Sequence, residues 1–229
     1  DEDKTWNDEY ETSDIIDEFE NEIDLNQLHV ELTLTRLNEK NEEVITTVVM
    51  NPISCWKINN EEDLYQIVGE VDVNINSETT YKKAKVMVYA NNNGKTEVFE
   101  TQYAGALEGK GVNYIPMWGV RTTTLNLAYE AENEIDDIYL LRAMAKVEVA
   151  LHEDIADQFD LTSVVVDQYN EVGNVLPAGY ATVADTRDLG QQDVFHPNNT
   201  SSDTDLSFTE VEDQEVFFVY LPEFENVDV

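Results

Sequence analysis

Basic residues are scarce in this chain: 13 Lys and Arg stand against 49 Asp and Glu in 229 residues, giving a formal net charge of −36 and a pI near 4.1. A field of that sign repels phosphate backbones and anionic lipid, so nucleic acid is not an expected partner and docking on a membrane surface is disfavoured. Cysteine occurs once, at Cys55, and no intrachain disulfide can form. No apolar run approaches the roughly 20 residues of a spanning helix, so direct membrane insertion of this segment is not expected. Neither a G-x-G-x-x-G fingerprint nor a P-loop occurs. The histidines His29, His152 and His196 are scattered, without the paired spacing of a metal set.

What is present is enough apolar material for packed cores, 41% hydrophobic residues with 10% aromatic, in a length that suits one large domain or two small ones. The acidic surface suits a secreted, highly soluble protein, or one tuned by cations such as calcium. The chain opens at Asp1 rather than Met, as a mature or trimmed chain does, and localisation is not decided by the residues themselves.

Residues 1–27 form an acidic leader with a single basic residue, Lys4, before Asp24; it reads as a solvated tail in preference to a short helix, in which Ile16, Phe19 and Ile23 would line one face after Ser13, or as a replaceable edge strand. From Leu28 the period becomes two: Leu28, Val30, Leu32 and Leu34 alternate with His29, Glu31, Thr33 and Thr35, the pattern of a half-buried strand. Further strands are expected over 44–50, 71–75, 85–90, 98–103 and 122–129, with Asn51-Pro52 as a break and Gly119 as a sharp turn. The acidic stretch 130–137 is the expected domain boundary. Beyond it, Leu141, Ala143, Ala145, Val147, Val149 and Leu151 give the cleanest alternation in the chain, followed by candidates at 159–169, 172–177, 181–184 and 207–211. Residues 216–221 are apolar on both faces, hence a central strand. Strands at short intervals with turn-rich links predict an all-β protein of two tandem antiparallel β-sandwiches, spanning 28–137 and 138–229.

Several short segments also carry a resemblance. Ile115-Pro116-Met117-Trp118-Gly119 matches an "iPMwG"-like motif; Arg142, Ala145, Lys146 and Val149 match "R-x-x-A-K-x-x-V"; Phe159, Leu161, Ser163 and Val164 match "F-x-L-x-S-V"; Tyr220, Pro222 and Glu223 match "Y-x-P-E"; and VMVYAN at 86–91 matches a strand ending in alanine-asparagine. In this order they resemble the fimbrillin family of Bacteroidetes-type surface pili, the type V pilins and related cell-adhesion lipoproteins. The resemblance implies two transthyretin-like β-sandwich domains, export as a lipoprotein precursor to the outer membrane and cell surface, removal of an N-terminal strand, and polymerisation by strand donation between subunits. Family members continue past the "Y-x-P-E" segment, which implies that the second sandwich here is incomplete at its C-terminus. Pro116, Met117, Trp118, Gly119, Arg142, Ala145, Lys146, Tyr220, Pro222 and Glu223 carry structural, not catalytic, roles under this resemblance.

Chemistry outside the resemblance is thin. Cys55 beside Trp56 has no Cys/His context and suits a small buried hydrophobe; Ser163 lies in an expected strand rather than a nucleophile elbow. Asp203 and Asp205, after Asn198 and Asn199, offer oxygen ligands for calcium without the glycine and terminal glutamate of an EF-hand. Trp56 and Trp118 are expected to fill cores. Arg142 and Lys146 are expected to pair with Glu148 or the acidic linker. The expectation is a non-enzymatic fimbrial or adhesive subunit, without catalytic residues, metal or cofactor, calcium being the one candidate. Its partners would be other subunits by strand exchange, and a host protein or glycan. The alternative is a monomeric carbohydrate-binding surface lipoprotein.

Overall fold

The computed structural model describes residues 21–59, 64–73, 81–92, 98–100, 114–124, 132–156, 158–167, 169–189, 205–211 and 216–222. Among them antiparallel strands dominate, and the single α-helical stretch is α1, Glu153–Ala156. The protein is all-β.

Strand β1 (His29–Leu37) realises the alternation of its sequence, with Val30, Leu32 and Leu34 buried and the residues between them half-exposed. It pairs with β2 (Glu43–Val49) through a turn organised by Asn38, whose side-chain oxygen accepts from the backbone N–H groups of Lys40 and Glu42; Asn41 takes a left-handed φ of 60° there. The other side of β1 pairs with β5 (Tyr81–Ala90), which pairs in turn with β7 (Met117–Thr123). A two-residue strand, β8 (Leu141–Arg142), completes a five-stranded sheet in the order β2-β1-β5-β7-β8.

Both faces of this sheet's middle are apolar, and each face builds a different core. One face carries Val30, Leu32, Leu34, Ala84, Val86, Val88, Ala90 and Met117, against which Val48, Ile67, Val71, Ile135, Ile138 and Leu140 pack. The other carries Tyr89, Trp118 and Val120, joined by Ala143, Met144, Val175, Leu176, Phe218 and Tyr220 from the C-terminal half. Period two explains the division: Met117 faces one core, Trp118 the other, and so on along β7.

On the first face lies a hairpin the sequence did not announce, β3 (Asn51–Asn59) with β4 (Leu64–Glu70). Asn51-Pro52 ends β2 as expected but also starts β3; Pro52 lacks a donor and sits on a strand that pairs only with β4 among the described residues. Gly69 lies opposite Pro52, where a Cβ would meet the Met50 side chain at 2.6 Å. Residues 132–140 pass over the same core. They form no strand, yet Ile135, Ile138 and Leu140 are pressed into it while Glu132, Glu134, Asp136 and Asp137 stay outside.

In the C-terminal half β9 (Met144–Ala150) pairs with β14 (Val216–Pro222), and β14 with β13 (Thr209–Val211). The expected long strand at 141–151 is interrupted at Ala143, whose N–H donates to the carbonyl of Pro116 instead. Shorter pairings join β6 (Val98–Glu100) to β11 (Val172–Asn174) and β10 (Val165–Val166) to β12 (Leu206–Ser207). The expected strand at 159–169 therefore survives only as β10, and Phe159 is 62% exposed, because most of that stretch finds no neighbouring strand to pair with among the described residues. Residues 180–182 form a 3₁₀ turn where a weak strand was expected. Strand β7 covers only the first two residues of the strand expected at 122–129, and 71–73 form no strand; residues 74–80 and 125–131 lie outside the described set. Strands β6 with β11, and β7 with β8, join residues on opposite sides of position 137/138.

Candidate functional site

The residues singled out by sequence converge on one line, where β7, β8, β9 and β14 meet. Pro116 is buried, Met117 pairs with Arg142, Tyr220 pairs with Lys146, and Pro222 pairs with Met144. Trp118 is fully buried, its ring edge-on to Tyr180 with centroids 6.5 Å apart, and its indole Nε1 has no hydrogen-bond partner among the described residues. Ala145 is exposed on β9 and Arg142 on β8. Lys146 is mostly covered; its ammonium pairs with Glu148 and lies 5.9 Å from the centroid of the Phe218 ring. Glu223 falls outside the described residues.

Gly119 is not a turn. It sits in the middle of β7, buried, and a Cβ there would press into the carbonyl of Tyr139 and come within 2.6 Å of Leu140 Cδ2. Its role is to let the 132–140 strap cross β7 at backbone distance. Period-two reasoning alone could not find this, since the strap is distant from Gly119 in sequence and meets it only in three dimensions.

Asn91 ends the VMVYAN stretch in a left-handed conformation, φ 61°, and is buried. Its side-chain amide donates to the carbonyls of Glu22 (2.7 Å) and Ile115 (2.9 Å), and its oxygen accepts from the N–H of Asp24. One side chain thus ties the N-terminal approach to the end of β5 and to the entry of β7. Asp24 then caps the 3₁₀ turn Leu25–Gln27 by accepting from Asn26 N–H.

Among the described residues, the surfaces available to a partner are open strand edges and one apolar face. In the order β13-β14-β9, strand β14 is flanked on both sides, as its two-faced apolar sequence implies, and Phe217, Phe218, Val219 and Tyr220 are all buried. The second edge of β9 has no strand against it among the described residues, and Val147 on β9 is 37% exposed. The outer edge of β2 is likewise unpaired, with Ile45 and Val49 exposed. The β3–β4 hairpin turns Trp56, Ile58 and Val68 outward, correcting the expectation that Trp56 fills a core; it is 44% exposed and lies across from Gln66. Cys55, on the opposite side of β3, is half-buried; burial pushes its thiol pKa up, with the nearby Glu22 carboxylate adding to the rise.

The remaining sequence candidates stay apart. His29 contacts Glu31 at 2.9 Å, His152 lies by Asp154 in an exposed turn, and Ser163 is exposed outside any strand. Among the described residues no group of His, Cys, Asp and Glu is placed to hold a metal ion; Asp203 lies outside them and Asp205 is exposed. No helix among the described residues is long and apolar enough to cross a membrane. No family model, curated protein or solved structure matches the chain.

Proposed function

We propose that the chain is a structural or adhesive subunit of a cell-surface fimbria, made of two tandem β-sandwich domains and assembled by β-strand addition. In this reading it is not an enzyme, needs no cofactor, reaches the outer membrane as a lipoprotein precursor, and has other fimbrial subunits as its main partners. One observation carries the proposal: a seven-residue strand, β9, presents an unpaired edge among the described residues beside the most buried strand of its sheet, β14. Such an edge offers backbone donors and acceptors to an incoming strand, and the exposed Ala145 and Val147 offer it small apolar neighbours. The test is sedimentation of the chain at rising concentration, alone and as Val147→Lys, which puts a charge on the open edge. The proposal expects larger end-to-end species for the chain and their loss in the variant. Identical behaviour of the two would overturn it.

A carbohydrate-binding surface lipoprotein is the second reading, favoured by the half-exposed Trp56 ring held on a strand opposite the Gln66 amide. Titration of tryptophan emission with neutral oligosaccharides should then give a change that disappears in Trp56→Phe; no change in the unaltered chain removes this reading.

A further inference from the structure

Two stretches remote in sequence grip β7 beyond its short pairing with β8. The 132–140 strap crosses one face at Gly119. The segment around residue 185 lies along the free edge: Arg121 bridges Asp185, Thr122 N–H donates to the Ala184 carbonyl at 2.6 Å, and Thr186 Oγ1 accepts from Val120 N–H (2.6 Å) while donating to Val120 O (3.1 Å). Lys85, on β5, reaches across to the Ala181 carbonyl at 2.8 Å.

Two arginines then close these stretches into a ring. The Arg121 guanidinium donates to the carbonyl of Asp137 (2.7 Å) and the carboxylate of Asp136 (3.0 Å). Two residues on, Tyr139 lies under the Arg187 guanidinium, 5.4 Å from the ring centroid. Arg187 binds the Asp185 carboxylate through both Nε and Nη2, and Asp185 is the residue bridged to the backbone of Arg121. The circuit is β7, strap, Arg187, Asp185 and back to β7.

We infer that this ring is a lock on the joint between the two halves, holding the strap down so that both halves move as one body. Charge gives the reason. The strap carries Glu132, Glu134, Asp136 and Asp137 in a chain of net charge −36, so repulsion favours lifting it. Lifting it would uncover Ile135, Ile138 and Leu140 and open the first core, and releasing the 184–189 segment would uncover Val183 and Leu189 at the second. The two arginines place positive charge at the border of both cores. A locked joint presents the β2 and β9 edges at a fixed mutual orientation; that consequence for assembly rests on the fimbrial reading, whereas the lock itself does not.

Hydrogen exchange on the full chain tests it. Arg121→Gln and Arg187→Gln should each speed exchange of amides in both 132–140 and 181–189, on the order of tenfold, leaving β1 and β5 protected. Because one break opens a ring, the double variant should add little to the stronger single one. Arg187→Lys should restore only part of the protection, since it keeps the charge but loses the two-pronged contact. Tyr139→Leu, a change at an exposed ring, should give the same pattern should an arginine variant fold poorly. Effects confined to each arginine's own stretch, a fully additive double variant, or a uniform rise that includes β1 and β5 would each overturn the lock. Loss of end-to-end assembly would leave these exchange patterns unchanged, so the two ideas fail separately.

Discussion

The N-terminal half and the C-terminal half are built by opposite means. The first is a broad sheet of long strands, β1, β2, β5 and β7, with a core of its own on one face. Among the described residues the second has one long pair, β9 and β14, and otherwise strands of two or three residues, the short α1 and 3₁₀ turns. Its core is completed by Tyr89, Trp118 and Val120 from the back of the first half's sheet. The second half is thus a dependent layer, since short strands bury too little surface to order themselves.

Trp118→Ala should separate the two halves most strongly. Removing a fully buried indole from the shared wall should destabilise by about 3–5 kcal/mol. Amide protection should vanish from β9 and β14 before it weakens in β1 and β5; simultaneous loss everywhere would make the halves equal partners. Phe218→Ala, on the dependent side, should produce the same order of loss, with the first sheet retained. Gly119→Ala forces the strap away from β7 and should cost about 1–3 kcal/mol, seen as a lower denaturant midpoint together with faster exchange in 132–140. Thr186→Val keeps the shape but strands the Val120 N–H and carbonyl, with an expected loss of about 1–2 kcal/mol confined to the contact between the halves.

The smallest effect is a pH dependence. Hydrogen bonds from the Arg187 side chain and backbone, with the charges of Arg187 and Arg121, hold the Asp185 carboxyl down to about 2 from its ordinary 3.8. The folded protein therefore releases this proton more readily than the unfolded chain. The stabilisation is complete above roughly pH 5 and is lost as pH falls through the range between those two values. Strap exchange should accelerate there, and Asp185→Asn should abolish that acceleration.

Sequence patterning was informative where a strand has one wet and one dry face, or none wet. Strand β1 follows its alternation residue by residue, and the doubly apolar 216–221 segment is the central β14. It failed where pairing, not period, decides. The 159–169 stretch alternates but mostly lacks a neighbour among the described residues, so it stays irregular. The β3–β4 hairpin is not legible in the sequence because Asn51-Pro52 signals a stop, and Trp56, expected in a core, lies on its exposed face. For the candidate site, the positions Pro116 to Gly119, Arg142 to Lys146 and Tyr220 to Pro222 could be named from sequence. That they meet along one line, and that Arg121, Asp185, Arg187 and Tyr139 close a circuit beside it, depends on contacts across tens of residues that no local pattern encodes.

The shared sheet also sets an order of events during synthesis. When β7 has left the ribosome, β1, β2 and β5 are already available to it, but the outward side chains of Tyr89, Trp118 and Val120 wait for Ala143, Val175 and finally Phe218. For the time needed to translate that remaining stretch, the nascent chain displays an aromatic patch whose C-terminal cover, as seen among the described residues, is still to come. A nascent chain in that state invites chaperone binding or premature association, and slowing translation after Thr123 should lengthen the interval.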